Sequence, residues 1–317
     1  MTVFQIGRRL CLWGLSGWMM VVQAQPSDPA LGESSVTSAA RMPRAAVLSG
    51  LGEQALAQRY PEQAVWLDLG DEGRALGLLM PEQRFPGAGA LLVLADEGQT
   101  ADAGVLGPLR LALAERGIAV MTVGLRLPPE SVQRSRLAQD GAEERKASGV
   151  AGRDDVPAAD AVMIDVEAGS PQENAVSDFR DSVRARLNAG FEALLNEGYE
   201  RPGVIGLGWS ADYVTEWAGT ASPVAAVIWL APRFPAQYRA PLSSFRTSGV
   251  AGGEGWAVLD LHGSEGRAGE AGRARASALG RAGVTGYQRQ GIVLGQPPQA
   301  QDAARIASRI SAWFRNQ

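Results

Sequence analysis

Two residue types are nearly missing from this chain of 317 residues: it holds one cysteine, Cys11, and one histidine, His262. A lone histidine excludes a multi-histidine metal cage or proton relay. Cys11 lies in a segment read below as removed, so the mature chain would carry no thiol, disulfide or cysteine metal site. Basic charge is not in excess either, with 34 acids against 30 bases and a net charge of −4. Without a positive field the chain is a poor binder of nucleic acid and of anionic membrane surfaces. Also absent is an apolar run of the roughly 20 residues needed to cross a bilayer. The nearest approach, "LCLWGLSGWMMVV" at residues 10–22, is short and broken by glycine.

That run has another use. It follows a basic start, "MTVFQIGRR", and precedes "VQA", small residues at cleavage spacing before Gln25. Residues 1–24 therefore read as a secretory signal peptide, and the chain as an exported, periplasmic protein with no transmembrane anchor after cleavage. The Arg8-Arg9 pair hints at twin-arginine export, although its surroundings fit that pattern poorly. No lipobox precedes Cys11, so no lipid anchor is expected. Residues 25–36 are small and polar, a flexible leader.

Over the whole chain 45% of residues are hydrophobic and 20% charged, enough for one sizeable core, read at 37–317. Helical character leads to Arg59 through Leu48, Leu51, Ala55 and Leu56, weakened by Gly50 and Gly52. "AVWLDLGDEGRALGLLM" gives two apolar runs around Gly70-Asp71-Glu72-Gly73, a hairpin signal. Strands and helices then alternate. "GALLVLA", "IAVMTVGL", "GVIGLG", "VAAVIWLA" and "WAVLDLHG" lack the alternation of a half-exposed sheet, as expected of strands covered on both faces. Helical spacing appears at Val105, Leu106, Leu109 and Leu113, again from Val176 through Phe179, Val183, Leu187, Phe191 and Leu194, and finally at Ile306, Ile310, Trp313 and Phe314. The expected fold is α/β, a mostly parallel doubly wound sheet with helices on both faces and an antiparallel amino-terminal hairpin. Residues 127–175 break the rhythm: polar, charged and poor in apolar residues, they read as a disordered insertion or a lid, with "AVMIDV" as a short strand or docking segment. The sequence holds no internal repeat and no metal-ligand spacing.

One stretch, "VIGLGWSADYVTEW" at 204–217, carries the chemistry. As G-x-G-x-x-A (Gly206, Gly208, Ala211) it suggests a dinucleotide turn, but such a turn opens the first βαβ unit and needs an acid at the end of the next strand, which here reads "IWLAPRF". No cofactor is therefore expected. As G-x-S-x-G with the last glycine replaced (Gly208, Ser210, Asp212) it suggests the nucleophile elbow of a serine hydrolase, with Ser210 as candidate nucleophile. A small residue is wanted at a tight strand-to-helix turn in any case, so a purely steric Ser210 fits equally.

The chain from about residue 40 to 317 resembles an uncharacterised family of exported bacterial α/β-hydrolase-like proteins. The resemblance rests on the helical lead, "LLVLADEGQ" where hydrolases carry the oxyanion loop, the polar insertion, "GLGWSAD", "VLDLHG" and the final amphipathic helix. It implies the α/β-hydrolase fold; it implies no reaction, because the family has none assigned. In that fold the base is a histidine after the last strand, and the loop in that place reads "VLGQPPQAQDA", where Gln296 and Gln299 cannot carry a proton at neutral pH. His262 ends the strand whose loop supplies the acid, roughly 10 Å from the elbow strand at about 4.8 Å per step. A packed core role suits it as well as catalysis. Glu265 stands near the expected acid, and Asp212 either charges the helix start or serves Ser210 as an adjacent base. Asp96, Glu97 and Gly98 sit where the oxyanion loop belongs, with Trp209 and Ala211 beside the elbow. The two carboxylates put negative charge where donors are wanted. Trp209 and Trp217 suit a pocket lining or ordinary packing. The resulting expectation is a binding or interaction protein for an unknown small molecule or envelope partner. The alternative is an esterase-like serine hydrolase using Ser210 with an unconventional base among His262, Asp212 and Glu265.

Overall fold

The continuous apolar runs become the interior of one sheet. The computed structural model describes residues 51–134, 136, 171–220, 224–234 and 257–317. The segments read as a signal peptide (1–24), a flexible leader (25–36) and a helical lead before residue 51, and "AVMIDV", lie outside the described residues. Eight strands are described: β1 (Ala64–Asp68), β2 (Arg74–Met80), β3 (Ala90–Glu97), β4 (Ala119–Leu125), β5 (Gly203–Leu207), β6 (Ala226–Leu230), β7 (Ala257–Gly263) and β8 (Tyr287–Ile292). Their order is β1-β2-β4-β3-β5-β6-β7-β8. The pairs β1/β2 and β2/β4 are antiparallel and the other five are parallel. The hairpin at Gly70–Glu72 closes through a short 3-10 turn, with the Leu69 amide donating to the Gly73 carbonyl at 2.8 Å.

Helices named among the described residues are α1 (Glu53–Arg59), α2 (Leu106–Ala114), α3 (Pro171–Asn196), α4 (Ser210–Ala218), α5 (Gly266–Arg281) and α6 (Ala303–Phe314). Period-two alternation along β3 sorts its side chains between two layers. Leu92 and Leu94 pack with α3 and α4 through Leu187, Phe191, Ala211 and Val214. Leu91 and Val93 pack with α2 and α6 through Leu109, Leu113, Ile306 and Ile310. All four β3 residues are 0% exposed, and each such leucine contributes about 1.5–3 kcal/mol by leaving water. Helix α3 is described from Pro171, inside the segment read as insertion. At the other end of that segment residues 130–134 are helical.

Two elements escape the sequence reading, α5 and β8. The first carries four glycines in sixteen residues, "GRAGEAGRARASALGR", which weaken any helical expectation. The second, "YQRQGI", is an edge strand with little apolar content. Between Leu94 and Glu97 the β3/β4 register shifts, three steps of β3 opposing two of β4. Such a bulge re-aims side chains, and it directs Asp96 and Glu97 at the turn between β5 and α4.

Candidate functional site

Strand β5 ends at Leu207, and the chain reverses into α4 through Gly208 and Trp209. Gly208 has φ +61°, whereas Trp209 is already in the right-handed helical region and Ser210 is the first residue of the helix. The strained, left-handed residue of the strand-to-helix turn is the one that carries the nucleophile in a hydrolase elbow, and here it is glycine. Shifted two residues toward the amino terminus, the pattern small-x-nucleophile-x-small falls on Gly206, Gly208 and Ser210. Gly206 must be small, since an added Cβ would stand 2.6 Å from Ala211 Cα.

Ser210 is 0% exposed. Its hydroxyl lies 2.9 Å from the carbonyl oxygens of both Leu94 and Leu207, so its proton is held by main-chain acceptors. The serine staples the helix start to β3 and β5. Among the described residues no hydrogen bond joins it to His262, Asp212 or Glu265.

The oxyanion region is internally saturated. Asp96 Oδ1 accepts the Trp209 amide at 2.8 Å and the Glu97 amide at 2.9 Å. The Gly98 amide donates to Leu125 O at 2.9 Å and the Ala211 amide to Gly208 O at 3.4 Å. A Cβ on Gly208 would meet Asp96 Oδ2 at 2.2 Å, so the carboxylate fills the space of the missing side chain. Burial pushes the Asp96 carboxyl up, while the two amides oppose that shift. The residue after the elbow normally offers its N–H to the developing oxyanion; here that N–H is bound to an anion already.

The remaining candidates lie apart from this turn. His262 is 3% exposed, on β7 with β6 between it and the elbow strand. Its Nδ1 is 3.3 Å from Asp260 Oδ1 and its ring lies on Gly272 of α5, where a Cβ would come within 2.3 Å of Nε2. Asp260 is the centre of a buried cluster. Arg275 Nε donates to Oδ2 and Nη2 to Oδ1, each at 2.9 Å, and Tyr287 donates to Oδ2 at 2.7 Å. Burial alone would raise its pKa, but the hydrogen bonds from His262, Arg275 and Tyr287 and the Arg275 charge hold it below the usual range. Glu265 is exposed at the start of α5 and makes no side-chain cap. In the loop after β8, Gln299 closes a capping box with Asp302. Gln296 Nε2 lies near Gly263, at the end of β7, 3.1 Å from where a Cβ would stand.

Asp212 sits in the first turn of α4, 8% exposed. Its carboxylate faces Arg180 at 3.5 Å, and burial pushes its pKa up to about 6 against the pull of Arg180 and Arg136. A cavity of about 10 Å³ lies beside it, lined by Arg180, Val183, Leu187, Tyr213, Glu216 and Trp217. Trp217 belongs to the core, 4% exposed and edge-on to Phe191 at 5.2 Å. Trp209 is half-buried beside the elbow. Its ring is covered by Arg136. The sequence singles out neither Arg136 nor Tyr213, whose hydroxyl accepts from Arg136, and it offers Gly208 only as a flanking glycine of the two motifs, not as the elbow residue itself. No group of three or more metal-ligating residues exists among the described residues, and none of their helices is long and apolar enough to cross a membrane.

The sheet order, with five parallel pairs after an antiparallel hairpin, and a glycine elbow after the fifth strand are those of the α/β-hydrolase fold. Dienelactone hydrolase from Anabaena variabilis is similar at TM-score 0.50 and 12% identity, over 80% of this chain and 96% of that one. An esterase domain from a Rhodothermus marinus protein gives TM-score 0.48 and 14% identity, over 80% and 97% respectively. The chain itself belongs to the family of proteins of unknown function DUF3530, whose model matches residues 10–316. No curated protein matches it.

Proposed function

We propose that this chain is an exported, periplasmic protein that uses an α/β-hydrolase fold to bind a small molecule or an envelope partner, and that it does not hydrolyse esters by serine chemistry. One observation carries the reading: glycine occupies the left-handed elbow position, with the Asp96 carboxylate bonded to the Trp209 amide beside it. Attack on a carbonyl needs a nucleophile at that turn and an unfilled donor to stabilise the oxyanion, an effect worth about 2.7–4 kcal/mol per donor. A carboxylate in that space repels the negative charge that would develop. Ser210, two residues on, spends its proton on backbone carbonyls, which are not bases at neutral pH.

The test is covalent. The mature protein, incubated with a fluorophosphonate probe, is expected to gain no adduct by intact mass while remaining folded by circular dichroism. An adduct mapped to Ser210 and lost in Ser210→Ala would overturn the reading and establish the alternative hydrolase. The search for its base would then begin at Asp212, His262 and Glu265.

A further inference from the structure

The space over the Trp209 ring is occupied by the chain itself. Arg136 reaches back from the polar segment and lays its guanidinium 4.1 Å from the centroid of the Trp209 ring. The same group ion-pairs with Glu97 and donates from Nη2 to the Tyr213 hydroxyl at 3.0 Å. Tyr213 in turn donates to Glu97 Oε1 at 2.6 Å. The side chains of Arg136 and Glu97 are only 11% and 8% exposed. Three elements converge here: the bulged end of β3, the elbow and the first turn of α4. Together they present an aromatic face, a carboxylate and a phenol oxygen, the surfaces that a planar, delocalised cation satisfies at once.

The charges nearby favour a cation as well. Asp96, Asp212 and Glu216 join Glu97 on the acidic side, against Arg180, Arg184 and Arg233. With Arg136 withdrawn, these four carboxylates stand against three guanidinium groups among the described residues. An ammonium fills such a site less well than a guanidinium, because it is more strongly hydrated and cannot lie flat on the ring while bonding sideways.

We infer that Glu97, Tyr213 and the face of Trp209 form a guanidinium-binding cage, that Arg136 is its built-in occupant, and that an external arginine-like ligand takes the same place when Arg136 leaves. The inference rests on the binding role proposed above and gives it a ligand class. Arg136 is then a tethered competitor, and a tether keeps it at high effective concentration. The apparent affinity for a free ligand is the intrinsic affinity multiplied by the fraction of time that the cage is open.

Calorimetric titration of the full mature protein with N-acetylarginine amide tests this. Arg136→Ala is expected to bind at least about tenfold more tightly than the wild type, since the competing population is removed. The lysine analogue should bind Arg136→Ala more weakly, the neutral citrulline analogue not measurably, and Glu97→Gln in the Arg136→Ala background should lose binding. If Arg136→Ala does not fold, Arg136→Gln, which keeps a stem over Trp209, is titrated instead with the same expectations. A folded Arg136 variant that binds no more tightly than the wild type, or whose binding is indifferent to Glu97→Gln, overturns the cage. That failure is separable from failure of the binding role, which is decided by fluorophosphonate labelling at Ser210.

Discussion

Asp260→Ala is expected to be among the most damaging single substitutions in the described fold, by an amount that follows from its surroundings. Asp260 is 0% exposed, and both of its oxygens are engaged by Arg275, which is itself only 10% exposed. Truncation leaves that guanidinium buried over the Phe234 ring without a counter-charge, and leaves the Tyr287 hydroxyl without its acceptor. Breaking a buried pair on one side costs about 3–5 kcal/mol, which at about 2–4 °C per kcal/mol means a loss of about 6–20 °C in Tm. Urea unfolding followed by tryptophan fluorescence reads the change well, because Trp229 lies 6.0 Å from Tyr287. The argument further requires non-additivity: Asp260→Leu combined with Arg275→Met and Tyr287→Phe should recover most of the loss, since no charge or hydroxyl is then stranded. Because the folded-state pKa of Asp260 lies below its unfolded value, the folded protein binds fewer protons. Its contribution is therefore present above about pH 4 and lost on further acidification, and Asp260→Ala should lack that acid-dependent component. A loss below about 1 kcal/mol in Asp260→Ala, or a triple variant as unstable as the sum of its parts, would refute the account.

Asp212 has the opposite sign. Its folded-state pKa of about 6 lies above the unfolded value of 3.8, so the folded protein binds the extra proton and stability falls as pH rises from about 4 to 6. Asp212→Asn should therefore gain on the order of 1–2 kcal/mol relative to the wild type at pH 7.5, and little or nothing at pH 4, as read by urea midpoints at the two values. An equal difference at both pH values would count against it. Gly208→Ser should lose about 2–4 kcal/mol, combining a left-handed non-glycine backbone with the clash against Asp96. Adding Asp96→Gly should return the part due to the clash, and double-mutant coupling near zero would contradict the shared space.

Much of the fold is legible before any coordinates, because hydrophobic burial on two faces leaves a period in the chain. The runs at 89–95, 118–125 and 203–208 are continuous because both faces are covered, and the hairpin announces itself through Gly70 and Gly73. Helix α5 and strand β8 leave no such trace. Helix α5 needs Gly272 to admit the His262 ring, and β8 lies at an edge where arginine and glutamine suffice. The site is harder to read for a different reason. A serine within a glycine-rich turn stands out as a residue type, whereas the elbow is defined by a backbone dihedral. Only the coordinates show that φ turns positive at Gly208 and that Ser210 lies beyond it. The negative charge of Asp96 and Glu97 near the oxyanion loop is legible in sequence; their aim depends on the bulge after Leu94, which the sequence does not announce. Arg136 comes from a segment with no periodicity at all, and its partners lie 39 and 77 positions away.

The contact between Asp96 and the bare Cα of Gly208 reaches beyond this one molecule. Each residue occupies the room that the other would need, so the two positions cannot drift independently. A lineage that acquires a side chain at 208 first passes through a crowded, poorly folding intermediate, and one that first shortens Asp96 strips two amides of their acceptor while gaining nothing in return. Evolution by single steps therefore meets a valley on both sides, and the arrangement at this turn, once reached, tends to be inherited whole.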